Sequence, residues 1–208
     1  HESQSRLWEN QITRSKPFWE YWLPNLRQMF PGQLDQLSLD DFVAAINRVE
    51  ASLVRVESDE VSYGLHIILR YELERSLIEG DLQVSDLESA WNEKMDLYFG
   101  VVPSTAAAGV LQDTHWSQGL IGYFPTYLLG NLYASQIFSK IKETMPDLEN
   151  DLCNGQLVPL REWLKEKIHQ HGKTLTADEL ILDISGEPLS AYHFIDYLQH
   201  RFSQIYRL

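Results

Sequence analysis

The chain has 208 residues, of which 44% are hydrophobic and 23% charged, the balance of a soluble globular protein with enough length to bury a core. A net charge of -13 opposes nonspecific binding to nucleic acid or to an anionic membrane surface, so neither is expected as a partner. Apolar runs fall far short of a membrane span. The single cysteine, Cys153, excludes an intrachain disulfide and agrees with a cytoplasmic setting.

Helical patterning begins near the amino end, where Leu7, Trp8, Ile12, Trp19 and Trp22 recur at roughly helical spacing before Pro24. Ser38 with Asp41 resembles a capping box, followed by an apolar stripe of Phe42, Ala45, Ile46 and Val49. Alternating β-branched residues predict a short extended piece over 52–56. A long helix is predicted over 59–79, with Val61, Leu65, Ile68, Leu69 and Leu73 facing inward and Gly80 as its stop. Ser85 with Glu88 predicts the cap of a further helix through Tyr98, ended by Gly100. Residues 101–126 carry Pro103, Gly109, Gly119, Gly122 and Pro125 and read as irregular. Helical periodicity returns over 127–144 and again near 158–171, 176–184 and 190–206, punctuated by Gly172 and Gly186. No linker, charge block or repeat divides the chain. The expected fold is therefore one all-α unit with a minor β element near 52–56.

Three segments concentrate polar chemistry: His1 through Asn10, Arg55 through Glu60, and Gly109 through His115-Trp116 with its continuation Gly122-Tyr123-Phe124-Pro125-Thr126-Tyr127. Together with Arg70-Tyr71-Glu72-Leu73-Glu74, Ile78 through Leu82, His171-Gly172 and Phe194, they resemble in order and spacing the HESQ, RxxSD and GxxQDxHW signatures of the Taq-type (thermostable) carboxypeptidases. Those enzymes are zinc metallopeptidases. The resemblance runs over essentially the whole chain, with one departure: the family's zinc-binding HEXXH helix does not occur in this sequence. In the family that motif precedes HESQ. Residues 1–208 are accordingly expected to be the C-terminal part of the catalytic domain, with the HEXXH-bearing part preceding His1.

The resemblance implies roles for particular residues. Glu2 matches the third metal ligand, completing a His2Glu set that leaves a position open for water. Without the motif around it, a Glu there is simply a favourable charge at a helix start. His1 would sit on the substrate side of that ligand. Arg55 suits a substrate's terminal carboxylate, which a guanidinium grips with two parallel hydrogen bonds, or equally an ion pair with Glu57, Asp59 or Glu60. His115 and Tyr123 are expected to stabilise the oxyanion, with Tyr127 on the substrate backbone, against the alternative of aromatic packing. Gln112, Asp113 and Trp116 are expected to orient the loop. The remaining histidines, His66, His169, His171, His193 and His200, form no chelating pattern. The implied activity is release of C-terminal amino acids from peptides with a free C-terminus, by a grooved, helical, homodimeric zinc enzyme in which cobalt can replace zinc. An oligopeptidase of related fold, or a noncatalytic helical module, would fit the same residues.

Overall fold

Capping chemistry sets several of the helix boundaries in the computed structural model, which describes residues 2–208. After a short α1 (Glu2–Arg6) the chain widens into a π-helical stretch, Leu7–Ile12, and then enters α2 (Lys16–Met29). The Ser15 hydroxyl accepts from the Phe18 N–H at the start of α2, and Pro24 removes one hydrogen bond from this helix without ending it. Ser38 caps α3 (Leu39–Ile46) by accepting from the Asp41 N–H. Asp59 Oδ1 accepts from Val61 and Ser62, both at 2.9 Å, and so opens α4 (Glu60–Glu79); Gly80, at φ 84°, closes it in the left-handed conformation that glycine adopts without strain. Next come α5 (Leu87–Phe99), α6 (Pro125–Thr144), α7 (Leu148–Cys153) and α8 (Val158–Lys167). A full capping box between Thr176 and Glu179 starts α9 (Ala177–Ser185), and α10 (Tyr192–Tyr206) ends the fold.

The all-α expectation holds: no strand occurs among the described residues. The β element near 52–56 is a correction. Residues Arg55–Glu57 form a 3₁₀ turn. A strand needs backbone partners, whereas here the Gln112 side chain takes them, its amide donating to the Leu53 carbonyl at 2.9 Å and its oxygen accepting from the Arg55 N–H at 2.9 Å. Ser85 does not cap α5 either: its hydroxyl points to Asp86 Oδ1, and a 3₁₀ turn over Val84–Asp86 leads into the helix.

The chain divides into two compact units, one of His1–Asn47 with Gly130–Leu208, the other of Arg48–Leu129. Composition gives no sign of this division, because the boundary at 129/130 falls inside α6 and not in a linker. The core of the first unit gathers Leu7 and Ile12 with Ile137, Ile141, Leu152, Leu160 and Leu164. Gln136, fully buried among them, donates to Ser185 Oγ at 2.9 Å and accepts from the Ser190 N–H at 2.8 Å, so its amide is satisfied. The second unit packs Leu69 and Leu73 against Trp91 and Met95, and Tyr63 and Ile67 against Phe124. Its α4 buries Leu69 and Leu73 as the apolar pattern predicts, but the rest of the predicted stripe does not follow. Leu65 and Ile68 are exposed, while Ser62, His66, Arg70 and Glu74 are buried. No helix among the described residues is long and apolar enough to cross a membrane.

Candidate active site

In the second unit, α4 presents Tyr63, His66, Arg70 and Glu74 on one face, their spacing of three and four residues stacking them along the helix. Arg70 and Glu74 hold different points of the irregular segment that ends at α6, Tyr63 packs with Phe124 of that segment, and His66 stacks on Phe99. Arg70, wholly buried, donates from Nε to Asp113 Oδ2 at 2.7 Å and from Nη2 to Gln112 Oε1 at 2.7 Å. Its guanidinium also lies over the Trp91 ring at 4.7 Å. Glu74 accepts from the Trp116 indole at 2.7 Å and from the Gly122 N–H, and Gly122 itself sits at φ 77°. The loop has no sheet and little helix of its own. Side chains of a rigid helix fix it.

Arg55 enters the same cluster. It donates to Asp113 Oδ1 from Nε at 3.1 Å and from Nη2 at 2.6 Å, and its Nη1 lies 3.3 Å from the Tyr63 hydroxyl. Its side-chain partner across the fold is thus Asp113, 58 positions away. Burial acts to raise the Asp113 pKa, but hydrogen bonds from Arg55 and Arg70 and their charges outweigh it and hold the carboxyl below its ordinary range. Burial pushes Arg70 down to about 10 in spite of Asp113. Arg55 ends above its usual value, because Asp113 outweighs its lesser burial.

His115 stands between Asp113 and the aromatic end of the loop. Its Nε2 lies 2.9 Å from the Tyr127 hydroxyl; its Nδ1 is buried without a hydrogen bond, 3.8 Å from Asp113 Oδ1. Burial lowers the His115 pKa, with the Asp113 charge opposing, so the ring is neutral near pH 7. Tyr123 packs 5.6 Å from the His115 ring and 5.4 Å from Tyr127. It is 42% exposed, and its hydroxyl makes no hydrogen bond among the described residues. Tyr127 is half-buried under the Arg55 guanidinium, 5.0 Å from its ring centre. The structure therefore gathers four of the six sequence-derived candidates, Arg55, His115, Tyr123 and Tyr127, into one cluster.

Glu2 belongs to the first unit, and His1 lies outside the described residues. The Glu2 carboxylate is partly exposed, with Oε1 2.9 Å from Arg6 Nε, and its side-chain stem lies against Gly130 of α6. That cradle leaves the carboxylate presented, as an oxygen ligand for a metal must be. Among the described residues no group of three or more His, Cys, Asp or Glu could hold an ion. His169, His193 and His200 are bonded instead to Gln4, Glu187 and the Asp196 carbonyl.

The sequence matches the family described as carboxypeptidase Taq (M32) metallopeptidase over residues 1–202. The chain belongs to this family. It is 45% identical over 208 residues to carboxypeptidase 1 of Bacillus subtilis and 46% identical over 206 residues to thermostable carboxypeptidase 1 of Thermus thermophilus. These alignments take in 100% and 99% of the chain but 42% and 40% of the relatives, so the chain spans about two fifths of their length. The crystal structure of the M32 carboxypeptidase from Deinococcus radiodurans superposes with a TM-score of 0.98 at 37% identity, over 100% of this chain and 42% of that one. The helical fold is therefore that of M32 metallopeptidases.

No motif in the sequence marks Tyr63 or Gly130, and Arg70 and Glu74 stand out only through the family resemblance. A long-range signal was present in Arg70 and Glu74, two charges on a helix with an apolar pattern on both sides. Charges in that position are buried only when paired.

Proposed function

We propose that the chain is the C-terminal part of a zinc metallocarboxypeptidase that releases amino acids from peptides with a free C-terminus. Glu2 is the third metal ligand in this reading. When bound, zinc supplies a Lewis acid that lowers the pKa of a water to about 7. The chain's own residues bind and polarise the substrate. The Tyr123 hydroxyl donates to the developing oxyanion, and neutral His115, oriented by Tyr127, assists. Arg55 reaches the terminal carboxylate through the N–H groups not engaged by Asp113 and Tyr63.

The observation that carries this reading is the exposed Tyr123 hydroxyl, free of any partner yet fixed beside His115 by a loop anchored at Gly122. A donor so placed is available to a charge that appears only in the transition state. Tyr123→Phe in the full-length gene product is expected to lower kcat by about 10²–10³-fold, with KM and Tm little changed. A kcat within threefold of wild type would refute the oxyanion role.

One observation favours a second reading. The Arg55 fork is already engaged by Asp113, so a two-pronged grip on a substrate carboxylate through Nε and Nη2 is not open. An oligopeptidase would not need that grip. Turnover of C-terminally blocked peptides at the rate of free ones would establish the oligopeptidase. A homodimer, a cytoplasmic setting and activity with cobalt complete the proposal, supported by the family resemblance and the lone cysteine; sedimentation, fractionation and metal replacement test them in turn.

A further inference from the structure

We infer that Gly130 is a positioning residue for Glu2: its missing side chain is the space that aims the Glu2 carboxylate. Gly130 is the sixth residue of α6, well inside a helix, where glycine is a weak former and alanine the strongest. Its backbone does not require glycine, since its φ is not positive. A Cβ there would lie 2.7 Å from Glu2 Cγ, 3.0 Å from Glu2 Cβ and 3.5 Å from the Glu2 carbonyl carbon. The two closest atoms are the base of the side chain and not its flexible tip. They cannot give way without carrying the carboxylate with them.

Magnitudes decide whether the shift would be felt. Carbon atoms pack at about 3.5–4.0 Å, so relieving the 2.7 Å contact requires a movement of roughly 1 Å. Metal–ligand distances tolerate only about 0.2 Å. On the other side, Arg6 Nε stands 2.9 Å from Oε1, so the carboxylate is bounded there too. The helical glycine of the second unit provides a contrast. A Cβ at Gly64, within α4, would meet only Leu128 Cδ1, at an ordinary 3.5 Å. The same substitution should therefore disturb its surroundings at Gly130 and not at Gly64.

The inference rests on Glu2 being a metal ligand, and the experiment separates the two claims. Zinc affinity is measured by chelator competition on the full-length gene product, with the Tm of the metal-free protein recorded alongside. Glu2→Ala is expected to lower affinity strongly. Gly130→Ala is expected to lower it about 10–100-fold, as loss of an outer support does, and Gly64→Ala to leave it unchanged. In the Glu2→Ala background, Gly130→Ala is expected to cause no further loss. Normal affinity in Glu2→Ala would sink the ligand assignment and the inference together. Loss in Glu2→Ala with affinity within twofold of wild type in Gly130→Ala would overturn the inference alone, as would a lowered Tm with unchanged affinity. Should Gly130→Ala not fold, Glu2→Ala, which removes the Cγ it strikes, is expected to restore folding; failure to restore it would also overturn the inference.

Discussion

His66 makes the stability of the second unit depend on pH between the ordinary imidazole value and about 4. The ring is fully buried, stacked 4.3 Å from Phe99, with Nε2 lacking a hydrogen bond and Nδ1 3.5 Å from Arg70 Nη1. Burial, with the Arg70 charge second, pushes its pKa down to about 4 from 6.5. The folded value lies below the unfolded one, so the unfolded chain binds the proton more readily. Stability is then fully present above about pH 6.5 and is lost as pH falls toward 4. Integration over that shift gives a loss of about 1.4 kcal/mol at pH 5.5 and about 2.6 kcal/mol at pH 4.5. Asp113, held below its ordinary carboxyl range, adds its own loss only below about pH 4, outside this interval. His66→Leu removes the titration; its packing cost is the same at every pH. Urea unfolding at pH 7.5, 5.5 and 4.5 should therefore show the gap between wild type and His66→Leu changing by about 2–3 kcal/mol toward the variant. A gap constant across the three pH values would refute the reasoning.

Arg55→Lys replaces the fork on Asp113 by a point charge and should destabilise the protein by about 1.5–3 kcal/mol, read as a lowered denaturation midpoint. If only KM for peptides with a free C-terminus moves, and the midpoint does not, Arg55 serves substrate more than structure. Glu74→Gln leaves one of two donors at a part-buried site, the Trp116 indole or the Gly122 N–H, without an acceptor. About 1–3 kcal/mol of stability should be lost, with a change in tryptophan fluorescence that an unaltered spectrum would contradict. Thr176→Ala removes the capping box of α9 and should lower stability by about 1 kcal/mol in the same unfolding assay, against no change if α9 is held by packing alone.

Features encoded locally were the ones legible in the sequence. Ser38, Gly80, Gly100 and Gly186 mark helix ends because each acts on backbone groups within a turn of itself. The loop segment was recognisable by its glycines, prolines and aromatics, and His115, Tyr123 and Tyr127 do lie together. What stayed hidden depends on partners far along the chain. Alternation over 52–56 looks like a strand until Gln112 supplies the bonds a neighbouring strand would have made. The apolar stripe of α4 misleads for a related reason. Beside the buried Leu69 and Leu73 the helix also buries Arg70 and Glu74, and that burial is stable because Asp113, Gln112, Trp116 and Gly122 provide matching groups some 40 residues later. Apolar periodicity cannot register such an arrangement, since it counts only the hydrophobic side chains.

That arrangement also ties stability to the candidate chemistry. A loop that must present Tyr123 and His115 in fixed positions has only local turns and one 3₁₀ turn of its own, so much of the holding falls to side chains of α4. Arg70 and Glu74 each grip two points of the loop, and Arg55 and Tyr63 close the cluster on its other side. Breaking any one grip leaves a buried charge or donor unmatched, which destabilises the unit and displaces the loop at once. Loss of activity in a variant of Arg55, Arg70 or Glu74 is therefore no evidence of contact with substrate. Only at Tyr123, exposed and with its hydroxyl free of internal bonds, can a fall in kcat without a fall in stability be assigned to the reaction itself.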